Sequence, residues 1–215
     1  MHQVPEDLLG KWLKGWSISR GKPLPEPWKS GYRVLVGDET QKVRYVFPEI
    51  NEDFIGLAES IREPWIYLKV CAPREELIRL IPQRWKMQPQ GYMMYGPEKM
   101  DKHGKPMPKG YSIEIFEQQP DLFVVRINTE NKGEAAIGRL IIVDGLAIYD
   151  RVKTEESHQR KGLATKVIKE LHQIAVSKGV SQNFLVATGQ GKLLYESMGW
   201  KTFSLYTSLV IKDEK

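Results

Sequence analysis

The stretch Gln159-Arg160-Lys161-Gly162-Leu163-Ala164 runs through two basic residues into a glycine and then into an apolar-periodic segment. The first turn of a helix carries amide N–H groups with no internal partner, and the macrodipole adds partial positive charge there. A helix start of this kind binds anions, and a pyrophosphate suits its size. Gly162 and Ala164 have little or no side chain, so a ligand can reach the backbone, and Arg160 and Lys161 can flank it with charge. The plainer reading is a glycine that only marks a helix entrance.

Other chemistries are poorly supplied. Gly189-Gln190-Gly191-Lys192 is not a phosphate-cradling P-loop, because Val186 stands where the first glycine belongs and Leu193 where Ser or Thr belongs. No G-x-G-x-x-G occurs at the Gly162 loop, and the strands before it are joined by tight turns instead of helices, so a dinucleotide fold is excluded. No His-Glu-x-x-His or comparable spacing offers a metal site. Ser157 and His158 are neighbours in sequence, which seldom gives triad geometry. Cys71 is the only cysteine, so the chain can form no internal disulfide and no cysteine metal cluster.

The elements that must position the Gly162 loop can be read from pattern. Residues 7–16 are weakly helical, and the prolines at 23, 25 and 27 forbid a regular element after them. Strands are expected at 32–37 and 42–47 around a turn at Gly37-Asp38, a helix at 51–61 capped by Asn51 or Asp53, a strand at 65–72, and a helix from Pro73 to 81. A break in composition follows at 97–110, where Lys99, Lys102, Lys105 and Lys109 sit among glycines and prolines as a solvated loop. Four strands come next, at 111–117, 121–128, 135–143 and 145–154. A helix from Gly162 to Lys178 then turns Leu163, Val167, Ile168, Leu171, Ile174 and Ala175 inward. A strand at 183–188, a short helix at 191–200 and a final strand at 202–211 complete the pattern.

In that frame, Gln159-x-x-Gly162-x-Ala164 after a strand ending Val152-Lys153-Thr154, with Leu194-Tyr195-x-x-x-Gly199-Trp200 some thirty residues on, resembles the GNAT superfamily of N-acetyltransferases. The similarity covers about residues 121–211. The resemblance implies a mixed α/β (α+β) fold, a mostly antiparallel twisted sheet flanked by helices, with an additional N-terminal lobe. Residues 1–110 would form that lobe, a degenerate GNAT-like half or a divergent start of one fold, and 111–215 the acyl-CoA-binding core. It further implies acetyl-CoA as acyl donor and no metal. Backbone groups of Val152, Lys153 and Thr154 would hold the pantetheine arm and polarise the thioester carbonyl. The amides of Gln159, Arg160, Lys161, Gly162, Leu163 and Ala164 would take the pyrophosphate. Thr188 stands where an Asn contact to the cofactor is common, and Gly191 where an Ala is. Tyr195 matches the residue that protonates the departing thiolate; otherwise it is a half-buried helix aromatic.

The base is open. Leu146, Ile148, Asp150, Val152 and Thr154 share one strand face by alternation, and Asp150 is the carboxylate on it. The family's usual base position falls at Ile148, which cannot serve. Asp150 can instead pair with Arg126, Arg139 or Arg151, and Glu155, Glu156 and His158 are alternatives. Net charge is +5 over 215 residues, a mild excess with no concentrated basic stripe, so nucleic acid is not an expected partner. That sign also leans slightly against polycationic acceptors. No apolar run reaches the roughly 18 residues of a membrane span. The N-terminal stretch lacks an export layout, so the expectation is a cytoplasmic protein. The expected activity is direct attack of an unidentified primary amine on the thioester, with a homodimer permitted. The alternative is a catalytically silent acyl-CoA-binding sensor or interaction module.

Overall fold

β-branched and aromatic runs become strands here, and the helices start where a cap or a proline frees them to start. In the computed structural model, which describes residues 4–100 and 106–213, the first elements are α1 (Glu6–Ser19), β1 (Glu26–Trp28), β2 (Gly31–Asp38), β3 (Gln41–Phe47) and α2 (Glu52–Ser60). They are followed by β4 (Ile66–Val70), α3 (Arg74–Leu77), β5 (Lys86–Met87) and β6 (Gly91–Tyr95). The later elements are β7 (Tyr111–Gln119), β8 (Leu122–Thr129), β9 (Glu134–Val143), β10 (Leu146–Thr154), α4 (Leu163–Ser177), β11 (Gln182–Ala187), α5 (Gly189–Ser197) and β12 (Lys201–Val210). Of the basic cluster, Lys99 and Lys109 are exposed, and Lys102 and Lys105 lie outside the described residues. No described helix is long and apolar enough to cross a membrane.

Several local expectations change. Pro27 does lie in a strand, the three-residue β1, where it pairs with Tyr32 at a sheet edge that needs no N–H from it. The β2–β3 turn falls at Glu39-Thr40, and Gly37 instead occupies an irregularity between Leu35 and Asp38. The helix expected from Pro73 is only the four residues of α3. β5 and β6 are strands that short length and Gly, Pro and Gln neighbours hide from pattern reading.

The chain divides into two compact units. One comprises Met1–Met94, Val186–Leu193 and Thr202–Lys215, the other Tyr95–Leu185 and Leu194–Lys201. Sequence pattern places a border near residue 110, whereas contacts begin the second unit at Tyr95 and return β12 to the first. The first unit orders its strands β1-β2-β3-β4-β12-β6, with β5 also on β12. β1 with β2, β2 with β3, and β12 with β4 and β5 pair antiparallel, while β3 and β4, which α2 connects, pair parallel. The Asn51 side chain caps α2 by accepting from Phe54 N–H (3.0 Å). Phe47, Phe54, Leu68, Val70, Leu77 and Leu209 are buried together on the α2–α3 side. On the other side of the sheet α1 lays Trp16 against the Arg44 guanidinium (3.6 Å) and Trp12 edge-on to Tyr206 (5.3 Å).

The second unit orders its strands β11-β10-β9-β8-β7. It repeats the element sequence of the first: an antiparallel pair (β9, β10), a helix (α4), a parallel strand (β11) and a short helix (α5), as β2, β3, α2, β4 and α3 do. Leu163, Val167, Ile168, Leu171 and Ala175 of α4 are buried over β8, β9 and β10. The sheets are thus mostly antiparallel and flanked by helices.

Lys69, on β4 under α1, is buried; its Nζ donates to Ser208 Oγ (2.7 Å) and lies over the rings of Tyr67 and Tyr206. Burial, reinforced by the Arg44 and Arg20 charges, holds this lysine well below the ordinary range. Between that lowered value and about 10.4 the unfolded chain carries a proton that the folded chain does not, so stability rises with pH across the window. Lys69→Met combined with Ser208→Ala is expected to flatten this rise. Urea melts at pH 7, 8.5 and 10 check it, and an unchanged slope would show that Lys69 is charged in the folded chain.

Candidate functional site

The centre of the second unit is a defect in β10. Asp150 lies opposite Arg139 and Lys153 opposite Ile137, so three steps along β10 match two along β9. Arg151 takes the extra place with φ +53°, a left-handed conformation that costs a non-glycine residue about 1–2 kcal/mol. The backbone groups of a bulged residue leave the ladder, and strain of this kind collects where structure serves binding. The bulge also overturns the expected alternation. Tyr149 reaches His172 on α4, and Val152 lies beside Gly138 together with Val167 and Leu171 of α4. Asp150 therefore does not share a face with Val152 and Thr154, because the inserted residue shifts the parity by one.

On its other edge β10 pairs with β11 only from Leu146 to Ile148, against Gln182 to Phe184. Beyond Ile148 the edge of β10 carries no β11 ladder, and the bulge follows at once. Both backbone irregularities thus fall on Tyr149–Thr154, the stretch containing Val152, Lys153 and Thr154. The Thr154 Oγ1 is buried without a partner among the described residues.

After β10 the chain makes one 3₁₀ turn, Glu156–His158, and reaches α4. Gly162 is the N-cap with φ +79°, and no side chain caps the helix. A Cβ on Gly162 would meet nothing within 4 Å, so backbone conformation, not crowding, calls for glycine. No acidic residue stands in the first turn of α4. Its leading amides and dipole are therefore unopposed, which fits an anion and in size a pyrophosphate. Gln159, Arg160, Lys161 and Gly162 are exposed around this start, Ala164 is half-buried, and Leu163 is turned into the core. Arg160 is itself left-handed (φ +62°). Lys161 Nζ is tethered, donating to Tyr111 OH (3.0 Å) and Ser157 O (3.2 Å). Tyr111 OH in turn meets His158 Nδ1 (2.8 Å). Tyr111 lies fifty residues from Lys161, and nothing in the local pattern singles it out.

Tyr195, on α5, is buried, more deeply than a half-covered helix aromatic, with its ring edge-on to Trp200 (5.4 Å). Burial first, and the Asp150 carboxylate second, push its phenol above the ordinary range. Asp150 and Tyr195 therefore feel one another electrostatically. Asp150 is half-buried and faces Arg139 across the strand pair, one of the arginines expected as its structural partner. Ile148, at the family's usual base position, is fully buried. Thr188 accepts from Gly191 N–H through Oγ1 (3.1 Å), so this hydroxyl caps α5.

A polar network escapes the sequence reading. His172 was hidden by periodicity, which turns Ile174 inward; Ile174 is half-exposed, and His172 is 1% exposed. Its Nε2 accepts from Met100 N–H (3.3 Å), and its Nδ1 meets Tyr149 OH (3.3 Å). Tyr149 OH donates to Asn183 Oδ1 (2.9 Å), and Asn183 Nδ2 donates to Pro97 O (2.9 Å) and Ser181 O (3.0 Å). Desolvation lowers the imidazole from its ordinary value, so it is neutral at neutral pH. Burial pushes the Tyr149 phenol upward.

Two glycines can be tested directly. A methyl at Gly138 would lie 2.5 Å from Val167 Cγ1 and 3.2 Å from Val152 Cγ2. Gly138→Ala is expected to lift α4 from β9 at a cost of about 1–3 kcal/mol, read as a lower urea midpoint; no change would mean that α4 shifts freely. At Gly162 stability should fall in the order wild type, Asn, Val, with Val costing about 1–2 kcal/mol. Equal stabilities would contradict the left-handed cap.

No family model matches the chain, and no curated protein matches it. Solved structures do. A GCN5-related N-acetyltransferase from Kribbella flavida is 15% identical, with 99% of this chain and 97% of that chain covered and a TM-score of 0.67. A putative acetyltransferase of the GNAT family from Novosphingobium aromaticivorans is 16% identical over 93% and 97%, with a TM-score of 0.57. A tandem GNAT protein from the clavulanic acid biosynthesis pathway is 9% identical over 84% and 78%, with a TM-score of 0.58. With the bulged β10 and the open start of α4, the chain has the GNAT fold.

Proposed function

We propose that this protein is an acyl-CoA-dependent N-acyltransferase, with acetyl-CoA as donor and an unidentified primary amine as acceptor. The observation that carries the reading is the unopposed N-terminus of α4 behind a left-handed Gly162, directly after the bulged end of β10. The amides from Gln159 to Ala164 take the pyrophosphate, with Arg160 supplying charge from the exposed loop and Lys161 held on Tyr111. Backbone groups at Val152, Lys153 and Thr154 hold the pantetheine arm, and a freed N–H there polarises the thioester carbonyl; such a donor contributes ~3 kcal/mol to barrier lowering. The Thr188 hydroxyl is engaged in the cap of α5.

In the reaction, the amine nitrogen bonds to the carbonyl carbon and the carbon–sulfur bond breaks. Asp150 receives the proton lost by the amine, and Tyr195 gives one to the departing thiolate. A phenol raised by burial holds its proton at neutral pH, and it transfers that proton to a thiolate because the same low dielectric strengthens the thiolate as a base.

The first unit, which repeats the element order of the second, serves in this reading as a degenerate half without an acyl-CoA site. Its counterpart of the Gly162 loop ends in Asn51, whose side chain occupies the Phe54 amide, and Glu52 and Asp53 place negative charge in the first turn of α2. That charge opposes a phosphate. A second reading, an acyl-CoA-binding module without turnover, is favoured by two observations: the deep burial of Tyr195 and the position of Asp150 opposite Arg139.

Titration calorimetry with CoA should give one site per chain. Thiol release should follow when acetyl-CoA is mixed with a productive member of an amine panel. Tyr195→Phe is expected to lower kcat about 100-fold with CoA affinity unchanged. Tight CoA binding with no thiol release on any amine would leave only the non-catalytic reading. Absence of CoA binding would remove both.

A further inference from the structure

The Met100 amide orders the protons of the polar network around His172. A backbone N–H only donates, so the Met100 amide fixes Nε2 of His172 as an acceptor. The neutral ring then carries its proton on Nδ1 and donates it to the Tyr149 oxygen. The Tyr149 proton is committed to Asn183 Oδ1, because the Asn183 amide nitrogen already donates to two carbonyls. One further bond, Gly96 N–H to Asn183 O (2.9 Å), ties the same segment to β11. The side chains of Tyr149, His172 and Asn183 are each bonded and buried, and the bonds to Pro97 O and Ser181 O lie at the half-buried margin.

Its position matters more than its composition. Tyr149 is the first residue of β10 beyond the last β11 pair, Ile148 with Phe184, and it immediately precedes Asp150 and the bulge. Its ring meets Trp200 edge-on (5.1 Å), and Trp200 meets Tyr195 in the same way. Gly96 is pressed so closely between Asn183 Cβ and the Trp200 ring that a Cβ there would lie 2.8 and 2.9 Å from them. The network therefore joins three things: the point where β10 leaves β11, the segment Gly96–Met100, and the aromatic support of Tyr195.

We propose that Tyr149, His172 and Asn183 are positioning residues, a proton-ordered clamp that fixes where β10 parts from β11 and secures Gly96–Met100 beside it. Resting on the acyltransferase reading above, the clamp sets the width of the slot that takes the thioester end of acyl-CoA. The groups facing the His172 ring are Tyr149 from β10, Asn183 from β11, and the backbone of Glu98 and Met100; the side chains of Glu98 and Lys99 are exposed to solvent. Protonation at Nε2 forces out the Met100 N–H, so acid opens the clamp.

Ring nitrogen NMR on the intact chain should show His172 as the Nδ1–H tautomer, with the Met100 amide protected from hydrogen exchange. Lowering the pH below the ordinary histidine range should lose that protection as the ring signal titrates. In His172→Gln the side-chain oxygen can accept from Met100. This variant should keep the protection down to acid pH and keep CoA affinity within about threefold of wild type. His172→Ala and Tyr149→Phe should speed exchange of the Met100 amide and raise the KM for acetyl-CoA roughly tenfold, the scale of one lost buried hydrogen bond. An Nε2–H tautomer, or unchanged exchange and KM in folded Ala and Phe variants, overturns the clamp. The tautomer and exchange readouts need no CoA. They decide the clamp even if wild type binds no CoA, a result that would remove the acyltransferase reading alone.

Discussion

The structure around the candidate site depends on one residue too many in β10. Placing Arg151 between Asp150 and Lys153 opposite only two steps of β9 shifts strand parity and frees backbone groups from the ladder. A left-handed arginine is unfavourable on its own, so surrounding packing must hold it. That packing is visible at Gly138, where the missing Cβ lets Val167, Leu171 and Val152 close over the strand. Ala147 still pairs with Asn183, and Tyr149, beyond the last pair, is gripped from α4 and β11. The regular pairing before Ile148 and the irregular backbone after it form one design: a rigid base from which a strand end laddered on one edge only, to β9, projects.

Electrostatics at the two helix starts separates the two units. Both place a helix between parallel strands, yet α4 begins at an uncapped glycine without acidic neighbours, and α2 begins at a side-chain cap followed by two carboxylates. The same backbone plan thus gives one start open to an anion and one closed to it. The difference lies in three or four side chains and needs no change in topology.

Much of this was legible in sequence. The strands of the second half, the start of α4 and the start of α2 at Asn51 or Asp53 follow from periodicity and cap chemistry, because these are local effects that nearby residues decide, and the structure gives the cap to Asn51. Local pattern was insufficient where pairing partners decide. Pro27 joins a strand because it lies at an edge, and β5 and β6 exist because β12 offers them a partner. Asp150 and Val152 looked like companions on one face because alternation cannot register an inserted residue. Ile174 and His172 exchanged places because a histidine with both ring nitrogens bonded can be buried like an apolar residue.

By itself the sequence determined the ingredients of an anion-binding helix start: a glycine able to adopt φ +79°, flanking basic residues, and no acid in the first turn. Those properties are carried by adjacent residues and need no knowledge of the remainder of the chain. Tertiary structure alone decided the bulge, the release of β10 from β11, the tether from Lys161 to Tyr111, and the union of Tyr149, His172, Asn183 and Met100. Each of these depends on strand register or on contacts across many residues, and register is fixed only when buried faces and hydrogen-bond ladders are satisfied together.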